Sequence, residues 1–148
     1  MDEMVMSRLD DYKAVEECGI SQSTVTEVIR IIQSVLKRKP SQDYVLYSDF
    51  NNRLEIIAEN FKNGEPFAYS TKRDEQRKVF GVLLALVNVR SYRDKGVMLS
   101  SVVVAARDKK PKKPYFELMK KVGYYPEDGD SEDLWRQDKE RALKAYRL

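Results

Sequence analysis

The 148-residue sequence predicts an α+β fold, a mostly helical single domain with a small sheet, on three observations. Residues 21–39 repeat apolar side chains at three- and four-residue spacing, the signature of a helix with one buried face. Residues 97–106 form instead a continuous apolar run rich in β-branched side chains, which reads as a buried strand. The composition is 42% hydrophobic, with nine Tyr, five Phe and one Trp, enough to build a core and unlike a disordered chain.

The elements follow in order. Residues 10–18 form a short helix stopped by Gly19. Ser21 or Ser23 caps a second helix whose inner stripe is Val25, Val28, Ile29, Ile32, Val35 and Leu36. Lys37, Arg38 and Lys39 suit the negative end of its dipole, and Pro40 ends it. Ser48 caps a third helix with Leu54, Ile57, Ala58 and Phe61 facing inward, closed by Asn63 and Gly64. Thr71 and Asp74 make a short-acid capping box for a fourth helix reaching about Tyr92, roughly 30 Å long at 1.5 Å per residue. That helix is almost wholly apolar over residues 79–89; its length and the lack of turn signals before Ser91 favour helix over strand. Leu83 and Leu86 on it should be buried against Leu99 and Val103 of the strand. The strand needs a partner: residues 44–47 come first and 65–69 next. Pro114 opens a helix over 115–121 with Phe116 and Met119 on its inner face, and Gly123 ends it. After an acidic turn, Asp130 or Ser131 caps a last helix with Leu134, Trp135, Ala142, Leu143 and Tyr146 on its apolar side.

Several classes are excluded. A lone Cys18 allows no disulfide within the chain, and with no His there is no Cys/His zinc site. No cofactor or metal motif is present. The acidic start lacks the basic and apolar regions of a signal peptide, and the longest apolar run, 79–87, is too short for a membrane span. The expectation is a cytoplasmic protein with no membrane partner. The net charge is only +3, yet residues 1–19 hold six acids against two bases while residues 107–121 hold seven bases against two acids. Such polarity steers an anionic partner toward the second segment. Nothing in the pattern fixes an oligomeric state.

Three motifs in residues 72–148 occur in a fixed order. They are Val97-Met98-Leu99-Ser100-Ser101-Val102-Val103-Val104, then Lys113-Pro114-Tyr115-Phe116-Glu117-Leu118-Met119, then Asp133-Leu134-Trp135. Together they resemble a group of small, uncharacterised bacterial and phage-associated proteins with a PLLSAVVV-like strand and a GFFELA-like helix start. The resemblance implies the same segmentation and carries no chemistry with it. Lys112 and Lys113 stand where that group has small residues.

Four places can carry function. Residues 8–38 include a helix-turn-helix-like part: Gly19 allows the turn, and Ile20, Val25 and Ile29 lock the second helix to the first. Ser21, Gln22, Ser23, Thr24 and Arg30 then meet DNA phosphates or base edges. Against this, the first helix is acidic and Glu27 sits beside Arg30; the alternative is that Ser21 to Thr24 only cap a helix. The basic loop gathers Arg107, Lys109, Lys110, Lys112 and Lys113, stiffened by Pro111 and Pro114, with Tyr115 as the more exposed aromatic and Phe116 in the core. Its alternative is a solvated turn. Asp108 and Lys110 match part of a metal-dependent nuclease site, if Asp49, Glu55 or Asp94 supplies a second carboxylate. On the last helix Trp135 and Tyr146 anchor an interface rimmed by Arg136, Lys139, Arg141, Lys144 and Arg147; alternatively Trp135 closes the core. The reading these support is a small non-catalytic regulatory or interaction protein. It binds an anionic partner or acidic protein surface through the loop, Tyr115, Trp135 and Arg136. A helix-turn-helix DNA-binding regulator and a metal-dependent nuclease are the alternatives.

Overall fold

The long helix expected around the apolar run is α3 (Asp74–Lys95) of the computed structural model, which describes residues 2–16 and 19–147. Its buried residues run from Gln76 to Tyr92 and include Val79, Phe80, Leu83, Leu86 and Val87. A helix apolar on nearly every side must be covered on nearly every side. Helix α1 (Glu3–Glu16) packs Val5, Met6 and Leu9 with Ala85, Val89 and Tyr92 in one cluster. Helix α2 (Gln22–Arg38) packs Val25, Val28, Ile32 and Val35 with Phe80, Leu83 and Val87 in another. Gly96, at φ 68°, terminates α3 in the left-handed conformation that glycine adopts freely.

Two small sheets complete the α+β architecture. Strand β1 (Val45–Leu46) pairs in parallel with β4 (Val103–Val104), Val45 opposite Val103, so the partner expected first for the apolar run is the one used. Val103 and Val104 face different clusters, and the pair thus joins the two halves of the core. Strands β2 (Glu55–Ile56) and β3 (Phe67–Ala68) form an antiparallel pair. Leu83, Leu86, Leu99 and Val103 are all buried, as expected.

Three expected elements are corrected. The strand over 97–106 shortens to Val103–Val104, because Leu99–Val102 forms a 3-10 turn. Polar side chains buried in α3 hold this turn: Ser91 Oγ donates to the Val97 carbonyl (2.8 Å) and accepts from Leu99 N (3.1 Å). With its backbone groups satisfied from the helix, the segment needs no longer strand ladder. The helix expected over 48–61 is absent. A 3-10 turn at Tyr47–Phe50 leads into β2, and Leu54, Ile56 and Ala58 are buried in alternation, a period of two. Ile57 therefore faces solvent, and Asn52 at φ 59° breaks any helical path. Thr71 does not cap α3. Its hydroxyl accepts from Asn51 Nδ2 (3.0 Å), and Arg73 occupies the capping position without a side-chain bond.

The other ends agree more closely. Asp2 Oδ1 caps α1 by accepting from Met4 N (2.8 Å), so this helix starts earlier than expected; its expected end at Cys18 lies outside the described residues. Ser21 caps α2 by accepting from Ser23 N. Helix α4 (Lys113–Lys121) carries Pro114 in its first turn; α5 (Glu132–Tyr146) has Ser131 at its capping position without a side-chain bond, and Asp130 Oδ1 accepts from Glu132 N (2.9 Å) just before it. No helix among the described residues is long and apolar enough to cross a membrane.

Candidate functional site

The segment between β4 and α4 is a tight basic turn. Ala105 N donates to the Lys110 carbonyl (2.9 Å) and Lys109 N to the Ala105 carbonyl (3.0 Å). Asp108 Oδ1 accepts from Lys110 N (3.1 Å), an Asx-type closure that fixes the turn. Pro111 is buried, and the next residue, Lys112, donates its backbone N–H to the Tyr47 hydroxyl (2.9 Å). The Lys112 ammonium lies over the Tyr47 ring, 4.6 Å from its centre.

The loop cations have different surroundings. Lys110 pairs with Glu132 (3.1 Å), which also holds Arg136 (2.6 Å), and Lys113 pairs with Glu117 (3.6 Å) in an exposed contact. Lys109 Nζ donates to the Ala106 carbonyl (2.5 Å) and lies 5.5 Å from the centre of the Tyr44 ring. Among the described residues neither Arg107 nor Lys112 has a carboxylate partner. Burial first, and then the neighbouring Arg77, hold the Lys112 ammonium below its ordinary pKa.

Beneath Lys112 lies a cavity of about 500 Å³ between α3, α4 and the turn that starts at Tyr47. Its aromatic wall is built from Tyr47, Tyr69, Phe80 and Tyr115. Tyr69 stacks on Phe80 at 4.4 Å, and Phe50 supports Phe80 from behind at 4.9 Å. Burial pushes the Tyr47 and Tyr69 hydroxyls up to about 12, so both are neutral donors at ordinary pH. Asn88 and Ser100 supply the polar lining: Asn88 Nδ2 donates to Ser100 Oγ (2.7 Å), and Ser100 N donates to Asn88 Oδ1 (2.9 Å). Arg77, Lys78, Lys112 and Asp74 add charge to the lining. Arg77 pairs with Asp74 and donates to the Thr71 carbonyl (2.7 Å). The central glycine of α3, Gly81, also lines the cavity, and a Cβ there would have nothing within 4 Å.

The residues singled out in the sequence are dispersed around this site. Lys112 and Tyr115 line it, but Tyr115 is the buried aromatic and Phe116 the half-buried one, the reverse of the expectation. Pro114 sits in the first turn of α4, whose buried residues are Tyr115, Leu118 and Met119. The Tyr115 hydroxyl bonds that of Tyr125 (2.8 Å), which donates to the buried Asp138 (2.6 Å). Trp135 is buried, and its Nε1 donates to the Ser101 carbonyl (2.8 Å), leaving Arg136 as the exposed member of that pair.

At the start of α2, polar groups are engaged within the chain. Thr24 is buried and its hydroxyl accepts from Ile57 N (3.2 Å), while Arg90 bonds Gln22 and Thr26. Ser21 and Ser23 hydroxyls bond each other (2.7 Å), and Arg30 pairs with Glu27. Ile20 and Val25 join the cluster of α2, whereas Val5 and Leu9 of α1 join the other. Of the carboxylates considered with Asp108, Asp49 accepts from Leu46 N (2.8 Å), Glu55 lies on β2, and Asp94 on the last turn of α3. Among the described residues no group of three or more His, Cys, Asp or Glu is placed to hold a metal ion.

Arg77, Lys78, Gly81, Asn88 and Ser100 were not anticipated as a site. The available signals were an Asn inside the apolar run of residues 79–89 and a Gly in mid-helix, where glycine is unfavourable. No family model, curated protein or solved structure matches the chain.

Proposed function

We propose that this is a small cytoplasmic interaction or regulatory protein, without catalysis of its own, that receives an anionic partner on its basic loop. The observation that carries the reading is the meeting of Lys112 with Arg77 at the cavity. Both cations line it, Arg77 adds to the burial that disfavours the Lys112 ammonium, and Lys112 has no carboxylate partner among the described residues. An incoming anion relieves that repulsion. Arg107, Lys109 and Lys113 are further exposed cations of the loop, and Arg136 is an exposed cation of α5. Within the same proposal, the likeness of the strand and helix-start motifs to those of phage-associated proteins supports an origin in a phage or mobile element.

The test is a titration against a labelled single-stranded oligonucleotide, a duplex and a polyglutamate peptide at two salt concentrations. At least one should bind with an affinity that falls as salt rises. The Arg107→Ala, Lys109→Ala, Lys113→Ala triple variant should weaken that binding at least tenfold with an unchanged thermal transition. Undiminished binding by the folded variant overturns the assignment to the loop. Duplex binding that fails instead in Gln22→Ala with Thr24→Ala moves the site to α2.

A further inference from the structure

We propose that the cavity beneath Lys112 is a binding site for a nucleoside monophosphate, with the base inside and the phosphate against Arg77, Lys78 and Lys112. This rests on the reading that the loop face takes anions, and narrows it to one ligand class. The volume, about 500 Å³, falls in the range of small-molecule sites. Tyr47 and Tyr69 line the cavity as rings for a flat heterocycle, with Phe80 held between Tyr69 and Phe50 as their support, and stacking on such rings accepts any base.

The polar lining decides between a heterocycle and an aliphatic body. Asn88 and Ser100 are each almost fully buried, and they satisfy only part of one another's capacity. The Asn88 amide keeps a second N–H and a second lone pair, and Ser100 keeps its hydroxyl hydrogen. An acyl chain would leave these groups unpaired, which is unfavourable in a dry site. A base edge presents donors and acceptors together, and an Asn amide matches adenine in that manner.

Charge selects the head group. Three cations face one carboxylate in the lining, an excess of two positive charges. A phosphate monoester dianion balances this better than a single carboxylate. Gly81 completes the argument: no neighbouring atom forbids a side chain there, so the space is left to the cavity and not to packing.

Calorimetric titration of the purified full chain with AMP, GMP, CMP and UMP tests the proposal, alongside adenosine, inorganic phosphate, decanoate and a 5′-phosphorylated tetranucleotide. At least one monophosphate should bind with Kd below about 1 mM, and its nucleoside at least tenfold more weakly. Tighter binding of the tetranucleotide would assign the same site to a strand's 5′ end; tighter binding of the mononucleotide, to free nucleotide. Gly81→Leu, which fills the cavity, should abolish binding. Lys112→Ala, an exposed change that does not threaten the fold, should weaken it at least tenfold. The triple loop variant should bind normally, which separates this site from the outer face. Absence of binding by all four monophosphates, decanoate binding in their place, or full affinity in both cavity variants overturns the inference. Salt-sensitive polyanion binding that survives such a result leaves the loop reading standing; loss of both removes both.

Discussion

Replacing Asp138 by Ala removes the carboxylate at the centre of a buried cluster of phenols and so measures what that cluster contributes. Asp138 is 2% exposed. Its oxygens accept from the hydroxyls of Tyr124 (2.7 Å) and Tyr125 (2.6 Å) and from Arg141 Nη1 (3.1 Å). A hydrogen bond to a charged acceptor is worth about 1.5–3 kcal/mol. Tyr124 is half-buried and can turn toward water, and removing the carboxylate also ends the desolvation of a charge. The expected loss is therefore about 2–4 kcal/mol, less than two full bonds. Tyr125→Phe should cost about 1.5–3 kcal/mol, because it removes one such bond and the Tyr115 hydroxyl loses its partner at the same time. The double variant isolates the shared bond, with a coupling of about 1.5 kcal/mol or more. Urea unfolding followed by fluorescence suits the measurement, since the single Trp135 lies in the same cluster as Tyr125. A second readout is alkaline titration. Burial first, and Asp138's charge in addition, raise the Tyr124 and Tyr125 hydroxyls, so Asp138→Ala should move phenolate formation to lower pH. Additive effects, within about 0.5 kcal/mol, would refute the Tyr125–Asp138 bond as a source of stability.

Three further outcomes are expected. Leu83→Ala should lower stability by about 2–5 kcal/mol in denaturant unfolding, because Leu83 is fully buried between α2 and α3; a loss below about 1 kcal/mol would contradict that packing. Gly81→Ala should raise stability by about 0.5–1 kcal/mol, as Ala is the better helix former and its Cβ meets nothing; a fall in Tm would show the cavity to be smaller than described. The third concerns alkaline pH. The hydroxyls of Tyr47 and Tyr69 stand at about 12, and burial also raises those of Tyr115, Tyr124, Tyr125 and Tyr146. The native state thus keeps protons that the unfolded chain releases near 10, so this stabilisation is complete below pH 10 and lost as pH rises toward 12. Tm should fall across that interval with phenolate appearing in the same transition; phenolate formed near pH 10 with Tm unchanged would refute it.

The parts of the fold legible in the sequence are those where one physical signal dominates. Ser21, the stripe from Val25 to Leu36 and Pro40 all speak for the same helix, and α2 follows them. The apolar centre of α3 was readable as core because no other element had the length to be surrounded. The β1 partner was readable because a buried strand leaves backbone groups that something must meet. Residues 48–61 misled because Leu54, Ile57, Ala58 and Phe61 also satisfy a helical spacing. Leu54, Ile56 and Ala58 satisfy a strand spacing equally well, and only tertiary pairing with Phe67–Ala68 decides between them. Residues 97–102 misled for a different reason. Their backbone is satisfied by Asn88 and Ser91, side chains twelve and six to eight positions away on a helix, and no local pattern records such bonds.

The candidate site was half legible on the same logic. A run of lysines between prolines is visible in one dimension, and Lys112 was found that way. Its meeting with Arg77 and Lys78 is not, because α3 and the loop are joined only through the fold. Nor does charge distinguish the loop's members: Lys110 and Lys113 have acids beside them, whereas Lys112 has a tyrosine ring below it and an arginine nearby. What sets Lys112 apart is therefore its surroundings. The same holds for Asn88, whose amide braces the 3-10 turn that leads to β4 and also lines the cavity. Ser100, its partner in that brace, lines the cavity too. The turn that cut the expected strand short is thus the structure that gives the cavity its polar lining. An unbroken strand over 97–106 would have bonded its backbone to a neighbouring strand and left Asn88 without that partner.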